Sequence, residues 1–361
     1  MDPEHRMKLV TRGTEEIITR DELKTLLETK SKPRAYWGFE LSGFLHLGTG
    51  LVCGNKIKDF VQAGFEFTIL LADTHSFINK KLGGKWENIS LAAEYFRHSF
   101  IALGIDPTKV RYVRASEIMN RFDYWFKAIQ VAKSASINRM RRALPIMGRE
   151  MTGEDIEAAF MWYPALQAAD IFDLDLHVAA AGLDQRKAHM LTRDVAAKLG
   201  WRPPISVHTP LLPGLTETKQ RMEYDEDERI SAKITSKMSK SVPQSTITIH
   251  DSPQEIRDKI KGAFCPPKQL EGNPITEIVR LIIFREDDAK LNIIRPDKYG
   301  GSLELKSYSE LERAYLQGKL HPVDLKQAVA DSLIDTLKPV RDYFSKNPGP
   351  LEAMRKVTIT R

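Results

Sequence analysis

Cysteine is scarce in this sequence: two residues, Cys53 and Cys265, in 361. They are too few and too far apart for a disulfide framework or the paired spacing of a zinc site, so no protein-bound metal is expected. Long apolar runs are missing as well. No stretch of about eighteen apolar residues offers a membrane-spanning helix. The opening MDPEHRMKLV lacks the apolar core of a secretory signal. The expected location is therefore the cytoplasm, with no membrane partner. There is no internal repeat and no low-complexity tract. What remains is ordinary for a globular chain: 42% hydrophobic and 28% charged residues, with length enough for two domains with their own cores. Lys and Arg outnumber Asp and Glu by 54 to 48, a net charge of +6 that favours a polyanionic partner without requiring one.

The hydrophobic pattern alternates strands with helices. Thr19-Arg20-Asp21-Glu22 reads as a capping box and predicts a helix to about Lys30. Arg34 to Glu40 reads as a strand, followed by a turn and a helix to about Ala63. The nearly unbroken apolar run from Glu66 to Asp73 is that of a strand buried on both faces, and Val110 to Ala115 gives another. From Phe122 to Asp173 the pattern is helical. The sheet resumes at His177 to Ala181 and Ile205 to His208, around a helix from Gln185 to Leu199. This predicts an α/β fold, a doubly wound parallel sheet with a helical segment inserted at about 117–175. Residues 216–245 are polar and read as a mobile loop, with an acidic cluster at 223–228. Past Asp251 the pattern predicts an all-helical C-terminal domain. The boundaries fall at residues 1–241 and 246–361.

Three short motifs sit where this fold would place a ligand. His46 to Gly50 (HLGTG) occupies a strand-to-helix turn, where glycine lets the backbone approach a phosphate and the imidazole of His46 can donate to it. Gly182-Leu183-Asp184-Gln185 follows the HVAAA strand, with an acid suited to ribose hydroxyls. Lys237 to Ser241 (KMSKS) offers Lys237 and Lys240 as mobile point charges, with hydroxyls on Ser239 and Ser241. A plain turn, a capped helix and a basic surface loop are the bland readings of each alone; their order and separation favour a nucleotide. Further on, Tyr163, Gln167 and Asp170 recur at i, i+4 and i+7 and so share one helix face in an otherwise apolar segment. That suggests a polar pocket, with Tyr36 on the first strand as a second wall; simple capping or pairing explains the same spacing equally well.

The pair HLGTG and KMSKS resembles the signature of the class I aminoacyl-tRNA synthetases. The segments AYWGFE, LLADTH, YPALQAAD and AGLDQRKAH look like those of tyrosyl-tRNA synthetases of the archaeal and eukaryotic type, over about residues 17–344. The resemblance implies a Rossmann-like catalytic domain in residues 1–241, its KMSKS loop at about 216–245, and an anticodon-binding domain in 246–361. It implies ATP as a substrate, accompanied by Mg2+, and catalysis by His46, Gly48, Lys237 and Lys240. ATP would meet His46, Gly48, Gly182, Asp184, Lys237, Met238, Ser239, Lys240 and Ser241. Tyrosine would meet Tyr36 and Asp170 at its hydroxyl, Tyr163, Gln167 and Gln185 at its other end, and His75 along the wall. The tRNA(Tyr) partner would contact Arg142 at its acceptor end and Tyr299, His321 and Asp324 at its anticodon; a homodimer through the inserted helices is also implied. Two departures stand out. Where the family's first motif has a second histidine, this chain has Thr49 or Gly50, depending on alignment; and Tyr224 to Arg229 looks like an insertion. A tryptophanyl enzyme, a silent RNA-binding relative and another nucleotidyl transferase remain alternatives.

Overall fold

The computed structural model describes residues 2–148, 156–217, 227–238 and 243–357. Helix α1 (Pro3–Thr11) precedes a short strand β1 (Glu16–Ile18), neither of which the sequence pattern announces. The capping box of Thr19 and Glu22 opens α2 (Arg20–Thr29), with both reciprocal hydrogen bonds formed. Then come β2 (Arg34–Phe39), a wide helical turn at Gly48–Val52 leading into α3 (Cys53–Gln62), β3 (Glu66–Leu71), α4 (Asp73–Ile78), α5 (Trp86–Ala102), β4 (Val110–Arg114) and α6 (Ala115–Ile118). The inserted helices are α7 (Phe122–Ser134), α8 (Ile137–Ala143) and α9 (Ala158–Asp173). Strand β5 (Val178–Gly182), α10 (Arg186–Leu199) and β6 (Ile205–Thr209) complete the sheet.

The strand order is β1-β6-β5-β2-β3-β4. Every pair is parallel except β1 with β6, which is antiparallel at the edge. The chain first builds outward from β2 to β3 and β4, then restarts on the other side of β2 with β5 and β6. The order thus reverses between β2 and β5. In such sheets ligands bind in the crevice beyond the carboxyl ends of the strands flanking that reversal. Strands β3, β5 and β6 are buried nearly end to end, as central strands covered by helices on both faces must be. Arg6 is a buried cation that works as a clamp: its guanidinium donates to the carbonyls of Ala63, Leu27, Lys30 and Ser31, tying α1 to the ends of α2 and α3.

After β6, α11 (Glu228–Ser236) leads back to the cleft, and α12 (Pro253–Gly262), α13 (Pro274–Leu281), α14 (Tyr308–Leu316), α15 (Pro322–Lys346) and α16 (Gly349–Arg355) follow. The expectation of an all-helical C-terminal part needs correction. Strands β7 (Leu291–Ile293) and β8 (Leu303–Leu305) form an antiparallel hairpin within it. Three residues per strand are too few for a period-two alternation to stand out in the sequence. One apolar cluster runs from the sheet into these helices: Tyr95 of α5 stacks on Phe344 of α15 with centroids 6.0 Å apart, and α5 also packs on α16.

Candidate active site

The crevice at the sheet reversal is a cavity of about 300 Å3. One end is buried. Tyr36 on β2, His75 on α4 and Asp170 on α9 are each no more than 2% exposed there. The i, i+4, i+7 face of α9 points into the cavity as its spacing predicts: Tyr163, Gln167 and Asp170 all line it. Gln167 Nε2 donates to Gln185 Oε1 at 3.4 Å, and Gln185 Nε2 donates to the Ile146 carbonyl at 3.0 Å. The Tyr163 hydroxyl donates to Glu40 Oε1 at 3.2 Å. Glu40, which also meets Asn79 and stands 3.4 Å from Lys81, is a wall of the cavity that the sequence pattern marks only as the end of a strand.

Burial dominates the protonation behaviour of this end. It pushes the Asp170 carboxyl up to about 8, against a hydrogen bond from Tyr124 that favours the charged form; the charges of Asp173 and Asp73 add to the upward push. It pushes His75 down to about 4. The Tyr36 phenol is pushed upward by burial and then by the charge of Asp170, partly offset by a hydrogen bond with Gln167. His75 Nε2 stands 3.3 Å from Asp170 Oδ2, close enough for an ion pair, yet neither ring nitrogen makes an aligned hydrogen bond. Because burial keeps the imidazole neutral, the contact is better described as a dipole facing a carboxyl than as a salt bridge.

The other end is partly open and carries the two signature motifs. Leu47 N donates to Ile247 O and Ile249 N to Leu45 O, so the segment just after KMSKS lies along HLGTG. The Gly48 amide donates to His46 Nδ1 at 3.1 Å and the Thr49 amide to the same atom at 3.4 Å. With Nδ1 accepting, Nε2 carries the ring hydrogen. Thr49 Oγ1 lies 3.3 Å from Nε2. Of the two candidate positions in the variant motif, Thr49 lines the cavity, whereas Gly50 is buried and any Cβ there would run into Ile249.

Lys237 and Met238 are held by backbone pairing: Met238 N donates to Leu212 O at 2.7 Å, and Pro213 bridges Lys237. Lys237 Nζ reaches Asp184 Oδ2 at 2.6 Å, joining KMSKS to GLDQ. Burial pushes the Asp184 carboxyl up, but the charge and hydrogen bond of Lys237 outweigh it and hold it below the usual carboxylate range. At Gly182 a Cβ would sit 2.6 Å from Asp184 Oδ1 and 3.0 Å from Leu211, so any larger residue at this strand end would displace the Asp184 carboxylate. Ser239, Lys240 and Ser241 lie outside the described residues, as do residues 218–226, which take in most of the acidic cluster.

The arrangement can hold an elongated ligand with a polar group in its buried end and an anion at its open end. A family model described as "tRNA synthetases class I (W and Y)" matches residues 28–223 and 230–338. The chain belongs to the class I tRNA synthetases of this tryptophan and tyrosine group. The match breaks at 224–229, where the sequence suggested an insertion. A tyrosine–tRNA ligase of Thermococcus sibiricus is 47% identical over 376 aligned positions, covering all of both chains, and one of Pyrococcus furiosus is 46% identical with the same coverage. Among solved structures, a tyrosyl-tRNA synthetase of Pyrococcus horikoshii complexed with L-tyrosine superposes with a TM-score of 0.91 at 44% identity, covering 99% of this chain and 100% of that one. As a class I synthetase the chain is an enzyme and takes ATP as a substrate.

Of the residues assigned to tRNA, Tyr299, His321 and Asp324 lie far in sequence from this cavity, whereas Arg142 stands just before its lining residue Ile146. Arg142 is exposed on α8, while Arg139 next to it is tied to Asp194 at 2.9 Å. Tyr299 is 62% exposed on the hairpin turn. His321 caps α15, its Nδ1 accepting from Val323 N at 3.2 Å, and Asp324 in the first turn lies 3.7 Å from Arg295.

Proposed function

We propose that this chain is a tyrosine–tRNA ligase. It joins tyrosine to ATP to form tyrosyl-adenylate and pyrophosphate, then passes the tyrosyl group to the 3′ end of tRNA(Tyr). The observation that carries this reading is one cavity with a buried end walled by Tyr36, His75 and Asp170 and an open end carrying His46 and Lys237. The full-length likeness to tyrosine–tRNA ligases supports tyrosine over tryptophan.

In the first step an oxygen of the tyrosine carboxylate bonds to the α-phosphorus of ATP. The bond from that phosphorus to the bridging oxygen breaks, and pyrophosphate leaves with the electron pair. Asp170 and Tyr36 take the substrate hydroxyl; Tyr163, Gln167 and Gln185 orient its ammonium and carboxylate, with Glu40 behind Tyr163. Charge growing on the phosphates meets the Nε2–H of His46, the adjacent Thr49 hydroxyl and the ammonium of Lys237. Donors fixed in advance at the point of charge development are the strongest catalytic device of this kind. Lys240, Ser239 and Ser241 are assigned to ATP with Lys237, as is the buried Met238. Gly48 gives the phosphates close access. Asp184, beside Gly182, exchanges Lys237 for the ribose hydroxyls, which frees the lysine for pyrophosphate. Mg2+ arrives as part of the ATP substrate. In the second step a ribose hydroxyl of the terminal tRNA nucleotide attacks the acyl carbon and AMP leaves. Such chemistry belongs in the cytoplasm, where ATP and tRNA meet; cell fractionation checks that location.

Arg142 is assigned to the acceptor end, and Tyr299, His321 and Asp324 to the anticodon. A cavity of about 830 Å3 beside Tyr299 supports this: Arg295, Lys306, Arg313 and Lys319 in its lining outnumber the carboxylates Glu304 and Glu310, which leaves net positive charge around an exposed ring. Purified protein should charge tRNA(Tyr) with tyrosine. Asp324→Ala should raise KM for tRNA about tenfold, the order of a lost base contact, with tyrosine activation within about twofold. Equal loss of both activities would make Asp324 structural.

We also propose a homodimer. Helix α7 is apolar on both faces: Tyr124, Ala128 and Val131 face inward, while Phe122 and Phe126 stack outside beside Trp125 and Ile129. Ile137 of α8 is 76% exposed and Phe122 77%, an apolar surface a monomer rarely leaves to water. A two-fold axis would bury the same patch on both copies. Sedimentation should give twice the 41.1 kDa chain mass, and Phe122→Glu with Ile137→Glu should give monomers. A monomeric unmodified protein would contradict the proposal.

A further inference from the structure

Asp170 is held from behind by a residue that no motif singles out. Tyr124, on the first turn of α7, is fully buried. Its hydroxyl lies 2.7 Å from Asp170 Oδ1 and 3.1 Å from the Leu166 carbonyl. A phenol has one hydrogen to donate, and the Leu166 carbonyl already has an α-helical partner in the amide four residues on. The carboxyl oxygen is the closer acceptor and the one with more to gain. Oδ1 is thus committed to Tyr124, and Oδ2 is left toward the cavity beside His75.

We propose that Tyr124 is a positioning residue for amino-acid selection: by donating to Oδ1 it fixes the Asp170 carboxyl with Oδ2 presented to the substrate hydroxyl. This rests on the reading of Asp170 as the phenol's partner. A protonated Asp170 could offer a hydrogen of its own; an ionised one can only accept, and so demands a donor from its ligand. Phenylalanine has none.

The groups facing Asp170 make Tyr124 the decisive neighbour. From β2 comes the Tyr36 phenol, from α4 the neutral His75 and the carboxylate of Asp73, and from α9 itself Tyr163 and Asp173. Asp73 is occupied by the Ser116 hydroxyl and amide, and Asp173 by Lys127 and Arg121. Burial, Asp173 and Asp73 all disfavour the ionised carboxyl; the Tyr124 hydrogen bond opposes them.

The test is Tyr124→Phe, which keeps the ring packed between α7 and α9 and removes the donor. The profile of kcat/KM for tyrosine against pH should keep its shape. Its acid limb, where Asp170 gains its proton, should move upward by about one pH unit, because the ionised form loses its hydrogen bond. The ratio of kcat/KM for tyrosine to that for phenylalanine should fall about tenfold at neutral pH. An unmoved limb with an unchanged ratio, or equal loss toward both amino acids, would overturn the proposal and leave Tyr124 a packing residue. Should Tyr124→Phe not fold, a ring-fluorinated tyrosine at 124, a stronger donor, should move the limb downward; no movement overturns the proposal. The two readings fail separately: unmodified protein without tyrosine-dependent pyrophosphate exchange defeats the assignment of Asp170, whereas normal exchange with an unresponsive Tyr124 variant defeats only the positioning role.

Discussion

Asp170→Ala should lower kcat/KM for tyrosine by about 10²- to 10³-fold, and lower that for phenylalanine far less. Asp170 is 1% exposed, so its carboxyl has no solvent to stand in for it. With alanine there, the substrate hydroxyl enters a buried recess with Tyr36 as its remaining partner. A buried polar group left unpaired costs about 1–3 kcal/mol, and more where its partner was charged. Tyrosyl enzymes are themselves the reference case for rejecting an analogue that lacks a hydroxyl, at about 10⁵-fold; that magnitude is theirs and not a result of this structure. Asp170→Asn, which keeps the shape and one acceptor, should fall between. Steady-state pyrophosphate exchange with both amino acids measures the effect, with thermal melting to verify folding. An unchanged tyrosine-to-phenylalanine ratio in Asp170→Ala would refute the assignment.

His46→Ala should reduce kcat for tyrosine activation by about 10²- to 10³-fold, the range for removing one donor to a developing oxyanion. KM for tyrosine should change little, because the lost interaction strengthens only as the phosphates gain charge. The ring is set by two backbone amides on Nδ1, from Gly48 and Thr49, so the donor is in place before ATP arrives. Lys237→Ala should behave similarly, with one difference. It also removes the partner that holds Asp184 below the usual carboxylate range, so KM for ATP should rise as well. Rapid-quench measurement of adenylate formation separates the two quantities. A rise in KM for tyrosine with unchanged kcat would mean that these residues bind the ground state and do not drive the reaction.

Much of this was legible in the sequence, for identifiable reasons. The face made by Tyr163, Gln167 and Asp170 follows from helical spacing, and all three line one cavity. The parallel strands announced themselves because both of their faces are covered, which leaves continuous apolar runs such as that of β3. Other features depend on contacts that spacing cannot show. Tyr124 meets Asp170 across 46 positions of sequence, and Glu40 meets Tyr163 across 123. That Gly50 is closed off and Thr49 is not depends on the packing of Ile249, a residue beyond the second signature motif. The strands β1, β7 and β8 are three residues each. Their pairing is made by partners elsewhere in the chain, with no pattern of their own to signal it.

The central claim is that a cavity built for a phenol is joined to a site for ATP activation. The measurement that tests it most directly is amino-acid-dependent exchange of labelled pyrophosphate into ATP, run with each of the twenty amino acids on the purified protein. Tyrosine should support exchange at least about tenfold faster than phenylalanine or tryptophan. Preference for tryptophan, or no exchange with any amino acid, would contradict the account.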